Sequence, residues 1–287
     1  MKPQTITRAE RVLGVEALSW ARVDSRGWSR KNEHWTIVLD DGTRAFAKAA
    51  SIDPGPAWLR EERHVYSCVS GPFMPRLLGW EDGERPLLLL EDVSDGAYWP
   101  PPWRDGDVEA VLATLAEVAV APCTGTLRRL ADDPLPGWRE VERDPEPFLR
   151  LGLVSSPWLD EALPQLVAAG DAAALDGDAV IHCDVRSDNL CVRAGRAVLV
   201  DWNHTRLGNA TLDVAFWLPS LELEGGPPPD RFGVDDLAAV VAGFFAAGAG
   251  LPPPEGAPEV RGFQRAQLEV ALPWACRALG LPASELR

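Results

Sequence analysis

Apolar and polar positions follow strand-like periods over the first ninety residues and helical spacing over most of the rest. The run WTIVL at 35–39 is followed by Asp40-Asp41-Gly42-Thr43 and then by 44–50, which predicts two strands joined by an Asp-Gly turn. Pro54-Gly55-Pro56 interrupts the chain. Trp58, Glu62, Val65 and Val69 then recur at helical spacing until Gly71-Pro72. Leu77-Leu78 and the leucine run 87–90 predict two further strands around a turn at 81–85. The first part is thus expected to be antiparallel sheet plus one helix. After Asp92 come Pro- and Trp-rich loops at 98–103, then helical patterns at 107–120, 157–169, 212–218, 234–247 and 260–279. Two short apolar runs, 179–181 and 197–200, interrupt this second part, and each ends at a cluster of polar residues. No internal repeat is present.

The bulk properties narrow the function classes. A chain of 287 residues with 46% apolar and 25% charged residues has room for one large or two modest cores and the composition of a globular protein. No apolar run has the length of a membrane span, and the polar start lacks a secretory h-region, so a cytoplasmic location is expected. Five scattered cysteines without a CxxC pair argue against a disulfide framework or a zinc knuckle. The formal charge of −15 disfavours nucleic acid and anionic membrane surfaces as partners.

Candidate chemistry concentrates in IHCDVRSDN at 181–189 and VLVDW at 198–202. A carboxylate at Asp184 can accept a hydrogen bond from an incoming hydroxyl. Asn189 and Asp201 offer hard oxygen ligands of the kind Mg²⁺ uses when it also holds nucleotide phosphates. That combination points to phosphoryl transfer. His182 is expected to hold the loop rather than act as acid or base, and Cys183 to be a small side chain rather than a nucleophile. His34 and His64 lie far from the motif and are expected to be ordinary surface or packing residues.

The pattern HxDxxxxN followed by a strand and Asp-Trp resembles the aminoglycoside phosphotransferase and choline kinase superfamily, whose members are similar to protein kinases in fold. The resemblance runs in order from about residue 25 to 217. It implies an α+β, two-lobed, protein-kinase-like fold, with a small antiparallel-sheet-plus-helix lobe over 1–92 that binds nucleotide and a larger, mainly helical lobe over 93–287 for catalysis and the acceptor. It also implies a strand lysine (Lys48), a helix glutamate (Glu62, favoured over Glu61 for its apolar-face position), a hinge near Glu91 to Val93, and a phosphate-covering loop over 27–32 with Ser29. Arg186 stands where Ser/Thr protein kinases carry a lysine near the transferred phosphate. GNATLDVAFW at 208–217 is similar to the family's helix start, with Asp213 at its structural acid position. The sequence departs from the family at Cys183, where glycine is usual, and at Asn209, where aspartate is common.

The resemblance implies ATP or GTP with Mg²⁺ as cofactors and a small-molecule acceptor. An aminoglycoside or amino sugar is favoured, since Glu222, Glu224, Asp230, Asp235, Asp236, Glu255, Glu259 and Glu269 could line a pocket for a cationic ligand; antibiotic resistance would then be one outcome. Trp99, Trp103 and Trp217 are candidates for stacking on a sugar ring. A choline-like amine, a hydroxy amino acid, a basic peptide antibiotic or a catalytically silent nucleotide-binding module are the alternatives. A protein kinase is disfavoured, because only about ten residues separate Asp201 from the next helix and no GxGxxG precedes Lys48. A monomer is expected.

Overall fold

The computed structural model describes residues 2–23 and 32–282. In chain order the elements are α1 (Gln4–Leu13), β1 (Ala17–Val23), β2 (Asn32–Leu39), β3 (Arg44–Ala50), α2 (Gly55–Cys68), β4 (Leu77–Glu81), β5 (Leu87–Glu91), β6 (Ala97–Tyr98) and α3 (Asp107–Ala119). They continue with α4 (Trp138–Arg143), α5 (Glu146–Leu149), α6 (Ser156–Ala172), β7 (Ala179–Ile181), β8 (Leu190–Arg193), β9 (Arg196–Leu199), β10 (Arg206–Gly208), α7 (Leu212–Leu223), α8 (Ala238–Ala249) and α9 (Val260–Leu279). The chain forms two compact units, each assembled from separate stretches. One comprises Met1–Pro100, Arg104–Leu127 and Ser187–Thr205; the other comprises Pro101–Trp103, Arg128–Arg186 and Arg206–Arg287.

The first unit is built on an antiparallel sheet in the order β1-β2-β3-β5-β4. Gly42, at φ 83, supplies the left-handed turn residue that the β2–β3 hairpin needs. Strand alternation then divides the faces. Ala45, Ala47 and Ala49 join Ile37, Leu39, Leu87 and Leu89 in a core closed by Ile6 and Ala9 of α1. Small side chains on β3 let the helix approach, while Phe46 and Lys48 take the opposite face. Helix α1 was not expected from the sequence, where 1–10 reads as polar. Its apolar stripe is narrow, only Ile6, Ala9 and the neighbouring Val12 and Leu13, and ion pairs of Arg8 and Arg11 with Glu81 tie down its polar side. The same unit includes a smaller sheet in which β8 pairs with β6 and β9. Val93, Cys191 and Val198 form its core, with Ala97, Trp99 and Val200 packed around them.

The second unit is helical apart from the short antiparallel β7–β10 pair. Helix α6 begins at Ser155, whose Oγ accepts from the Trp158 amide at 3.2 Å. Helix α8 is buried on nearly all sides, and α9 packs its Leu268, Ala271, Leu272 and Ala275 inward. The short helices α4 and α5 lie in the stretch the sequence left unassigned; Trp138 anchors α4 by packing edge-on against Phe148 at 5.7 Å and donating to the Ala239 carbonyl at 2.8 Å. No described helix is long and apolar enough to cross a membrane.

Candidate active site

Three charged side chains meet in the first unit. Lys48 Nζ donates to Glu62 Oε1 at 2.7 Å and Oε2 at 3.0 Å and also contacts Asp201 Oδ1. Helix α2 supplies Glu62 from its buried face, so the sequence preference for Glu62 over Glu61 matches the observed pairing. Lys48 and Glu62 are both buried. Burial alone would lower the lysine's pKa, but the Asp201 and Glu62 carboxylates outweigh it and hold the ammonium above its ordinary value. Burial raises Glu62 in turn, against the opposing charge of Lys48. A buried cation between two acids is stable only while they stay in place.

Asp201 follows β9 with φ 64 and ψ 59, a left-handed conformation that aspartate tolerates better than most residues. Asn189 immediately precedes β8. Because Leu190 pairs with Leu199 and the Val200 amide donates to the Asn189 carbonyl at 2.9 Å, the hairpin brings the Asn189 and Asp201 backbones alongside each other. An amide oxygen and a carboxylate are hard donors that suit Mg²⁺. Among the described residues no three His, Cys, Asp or Glu side chains gather as a metal cage. Nucleotide-bound Mg²⁺ does not require one, since it takes one or two protein ligands and completes its shell with phosphate and water.

His34 belongs to this cluster, contrary to the expectation that it is remote. It is the cross-strand partner of Lys48, and partners in an antiparallel pair share a face. The ring stacks on Phe46 at 5.6 Å, and burial together with the Lys48 charge pushes its pKa down to about 4, leaving it neutral at pH 7. The signal was available in the sequence: counting back from the Asp-Gly turn sets residue 34 opposite 48. His64 fits its expected packing role, with Nε2 2.7 Å from the Thr126 carbonyl.

At the expected hinge, the Glu91 and Asp92 amides donate to the Arg76 and Arg44 carbonyls at 2.8 and 3.1 Å, so Val93 is the first residue beyond these sheet bonds. The Glu91 side chain pairs with Arg76 and Arg193. Ser29 and nearly all of the expected phosphate loop lie outside the described residues.

The second unit carries the loop that follows β7. Asp213, at the start of α7, accepts from the backbone amides of His182 at 2.6 Å and Cys183 at 2.8 Å. The buried His182 ring accepts from the Asp184 amide through Nδ1 at 3.3 Å. These bonds present Asp184 at a fixed point of the loop, and Arg186 Nη1 donates to its Oδ1 at 2.5 Å. The guanidinium of Arg186 lies 5.4 Å from the ring of Phe263 on α9. Sequence reasoning gave Phe263 no role.

Burial raises Asp213 from the ordinary 3.8 to about 6, against the two amides that favour its charged form. The folded chain therefore binds this proton more tightly than the unfolded chain. The group's contribution to stability is complete below pH 4 and is lost as pH rises through about 6, a change of about 3 kcal/mol. Relative to wild type, Asp213→Asn should gain about that much between pH 4 and pH 7, measured by urea unfolding at both pH values; a difference that does not change with pH would contradict the assignment.

The two departures from the family pattern have local explanations. Cys183 has φ 64, the left-handed region where a side chain crowds its own backbone and glycine does not. Relief of that strain exceeds the chain entropy glycine adds, so Cys183→Gly should stabilise by about 0.5–1 kcal/mol in chemical unfolding. Asn209 donates through Nδ2 to the Ala174 carbonyl at 2.6 Å while its Oδ1 accepts from the Thr211 amide at 3.0 Å. Aspartate could make only the second bond.

A sequence profile of the phosphotransferase enzyme family matches residues 22–263. The chain belongs to this family. Solved structures place the fold of this phosphotransferase with the protein-kinase-like enzymes. An amicoumacin kinase in complex with AMP-PNP, Ca²⁺ and Ami is 11% identical, with a TM-score of 0.56 and 91% of each chain covered. A Thermobifida fusca protein provisionally classed as a fructosamine-3-kinase is 20% identical, with a TM-score of 0.54, covering 94% of this chain and 99% of its own. A choline/ethanolamine kinase family protein from Mesorhizobium loti is 14% identical, with a TM-score of 0.53, covering 91% of this chain and 87% of its own. No curated protein matches the sequence.

The acceptor candidates fare unevenly. Trp217 is fully buried, with Trp103 packed edge-on at 5.5 Å, so it has no face to offer a sugar. Trp99 packs beside Val93 and Cys191. Four of the eight acids have protein partners: Glu224 accepts from the Trp103 indole, Asp235 from the Trp274 indole, and Asp230 and Glu269 pair with Arg277 and Arg265.

Proposed function

We propose that this phosphotransferase moves the γ-phosphate of ATP or GTP to a hydroxyl of a small molecule, with Mg²⁺. The observation that carries this reading is Asp184, held on a loop by Asp213 and His182, in a chain that also gathers Lys48, Glu62 and Asp201. Residues 1–92, with the stretch that bears Asn189 and Asp201, would serve the nucleotide, and the remainder of 93–287 would serve catalysis and the acceptor.

In a loose phosphoryl-transfer transition state the protein contributes mainly position and charge. Asp184 accepts the hydrogen bond of the acceptor hydroxyl and takes its proton once the new O–P bond is forming. Lys48, aimed by Glu62, places a fixed positive charge at the nucleotide phosphates, and Arg186 places a second near the transferred group. Asn189 and Asp201 would hold Mg²⁺, which supplies neutralisation of phosphate charge when bound. Backbone groups beginning at Val93 would receive the nucleotide base.

The net charge supports an amino-bearing acceptor, an aminoglycoside or amino sugar. The protein partners of Glu224, Asp230, Asp235 and Glu269, and the guanidinium beside Asp184, favour a second reading, a neutral hydroxylated acceptor. A coupled assay of ADP or GDP release, run against aminoglycosides, amino sugars, neutral polyols, basic peptide antibiotics, choline and hydroxy amino acids, tests both. Acceptor-dependent release absent in Asp184→Ala is the expected result. Nucleotide binding without release for any acceptor would favour a silent binding module.

A further inference from the structure

The contact between Arg186 and Phe263 assigns α9 a part in the chemistry. Arg186 is a long, flexible side chain two residues from the proposed base, and holding it in one orientation costs rotamer entropy. Its neighbours within this unit include Asp184 Oδ1 at 2.5 Å and the Phe263 ring, 5.4 Å from the guanidinium carbon. That separation is within the range in which a guanidinium is attracted to an aromatic face. Both partners of the ion pair are three-quarters or more buried, so the attraction is weakly screened. Phe263 is itself well placed. It lies in the first turn of α9, its amide donating to the Glu259 carbonyl at 3.2 Å, and it precedes the buried Gln267 and Ala271 by four and eight residues, on the same face.

We infer that Phe263 is a positioning residue for phosphoryl transfer, seating the Arg186 guanidinium so that it orients the Asp184 carboxylate toward the acceptor hydroxyl. This rests on the proposed roles of Asp184 and Arg186. On this inference the ring acts through the arginine. It should therefore affect kcat and leave the nucleotide KM unchanged. Helix α9, in a region where the sequence motifs give no guidance, would thereby couple packing of the second unit to the catalytic loop.

A double-mutant cycle tests this. Phe263→Leu should lower kcat roughly 3- to 10-fold, with nucleotide KM unchanged, and Phe263→Tyr, which keeps an aromatic face, should restore it. Arg186→Met should cost roughly a hundredfold, and adding Phe263→Leu to it should cost nothing more. An equal loss from Phe263→Leu in both backgrounds, or no loss in either, overturns the inference. A second readout needs no turnover. The Arg186 side-chain NH signals, assigned in the folded protein by NMR, should carry a ring-current shift that Phe263→Leu removes and Phe263→Tyr keeps. Loss of the shift in a chain that phosphorylates no acceptor would count against the proposed function while upholding the contact; an unchanged shift would overturn the contact itself.

Discussion

Replacing Asp184 with alanine should lower kcat by about a thousandfold, within the range that a positioned general base contributes, while nucleotide affinity should stay within about threefold of wild type. The loop should survive the change. Its anchors are the Asp213 carboxylate on the His182 and Cys183 amides and the His182 ring on the backbone amide of residue 184, none of which uses the Asp184 side chain. What the variant loses is the Asp184 carboxylate that pairs with Arg186 and, on the proposed mechanism, the acceptor of the hydroxyl's hydrogen bond. Single-turnover rates and nucleotide titrations on the same preparation separate the two effects. Near-normal turnover would remove Asp184 from the mechanism.

If Asp201 holds Mg²⁺ as proposed, Asp201→Asn should weaken Mg²⁺-nucleotide binding by about a hundredfold, since losing one charged ligand at about 3 kcal/mol corresponds to that change in Kd. Asparagine is the informative substitution. It tolerates the left-handed backbone at this position, where alanine adds strain of its own. Lys48 keeps its bonds to Glu62, so the buried ammonium is not left unpaired. The test is the dependence of nucleotide Kd on Mg²⁺ concentration: strong in wild type and nearly flat in the variant. Equal Mg²⁺ dependence in both proteins would show that Asp201 holds no metal.

Most elements were legible because they carry a strong period. The β2–β3 hairpin, α2, α3, α6 and α9 lie where turn chemistry or helical spacing predicted them, and β7 and β9 coincide with the two short apolar runs at 179–181 and 197–200. Helix α1 was missed because a helix lying on a sheet of small alanines needs only a narrow apolar stripe. The family resemblance led from the motif residues to the loop that bears Asp184 and implied the pairing of a strand lysine with a helix glutamate; helix phase contributed only the choice of Glu62 over Glu61. Phe263 was not legible, since its meeting with Arg186 depends on tertiary packing between positions far apart in the chain. His34 could have been found by cross-strand counting and was discounted on its linear distance from the motif. The acceptor stayed open for a related reason: an acidic composition does not say which carboxylates the protein itself employs, and half of the eight named proved to have internal partners.

The most direct measurement is transfer of a γ-³²P label from ATP or GTP in the presence of Mg²⁺ and the acceptor panel. The account predicts that label moves to the hydroxyl of one acceptor class and that unlabelled nucleoside diphosphate is released in equal amount. Label that stays on a bound nucleotide with every acceptor, or that appears only as inorganic phosphate, would contradict it.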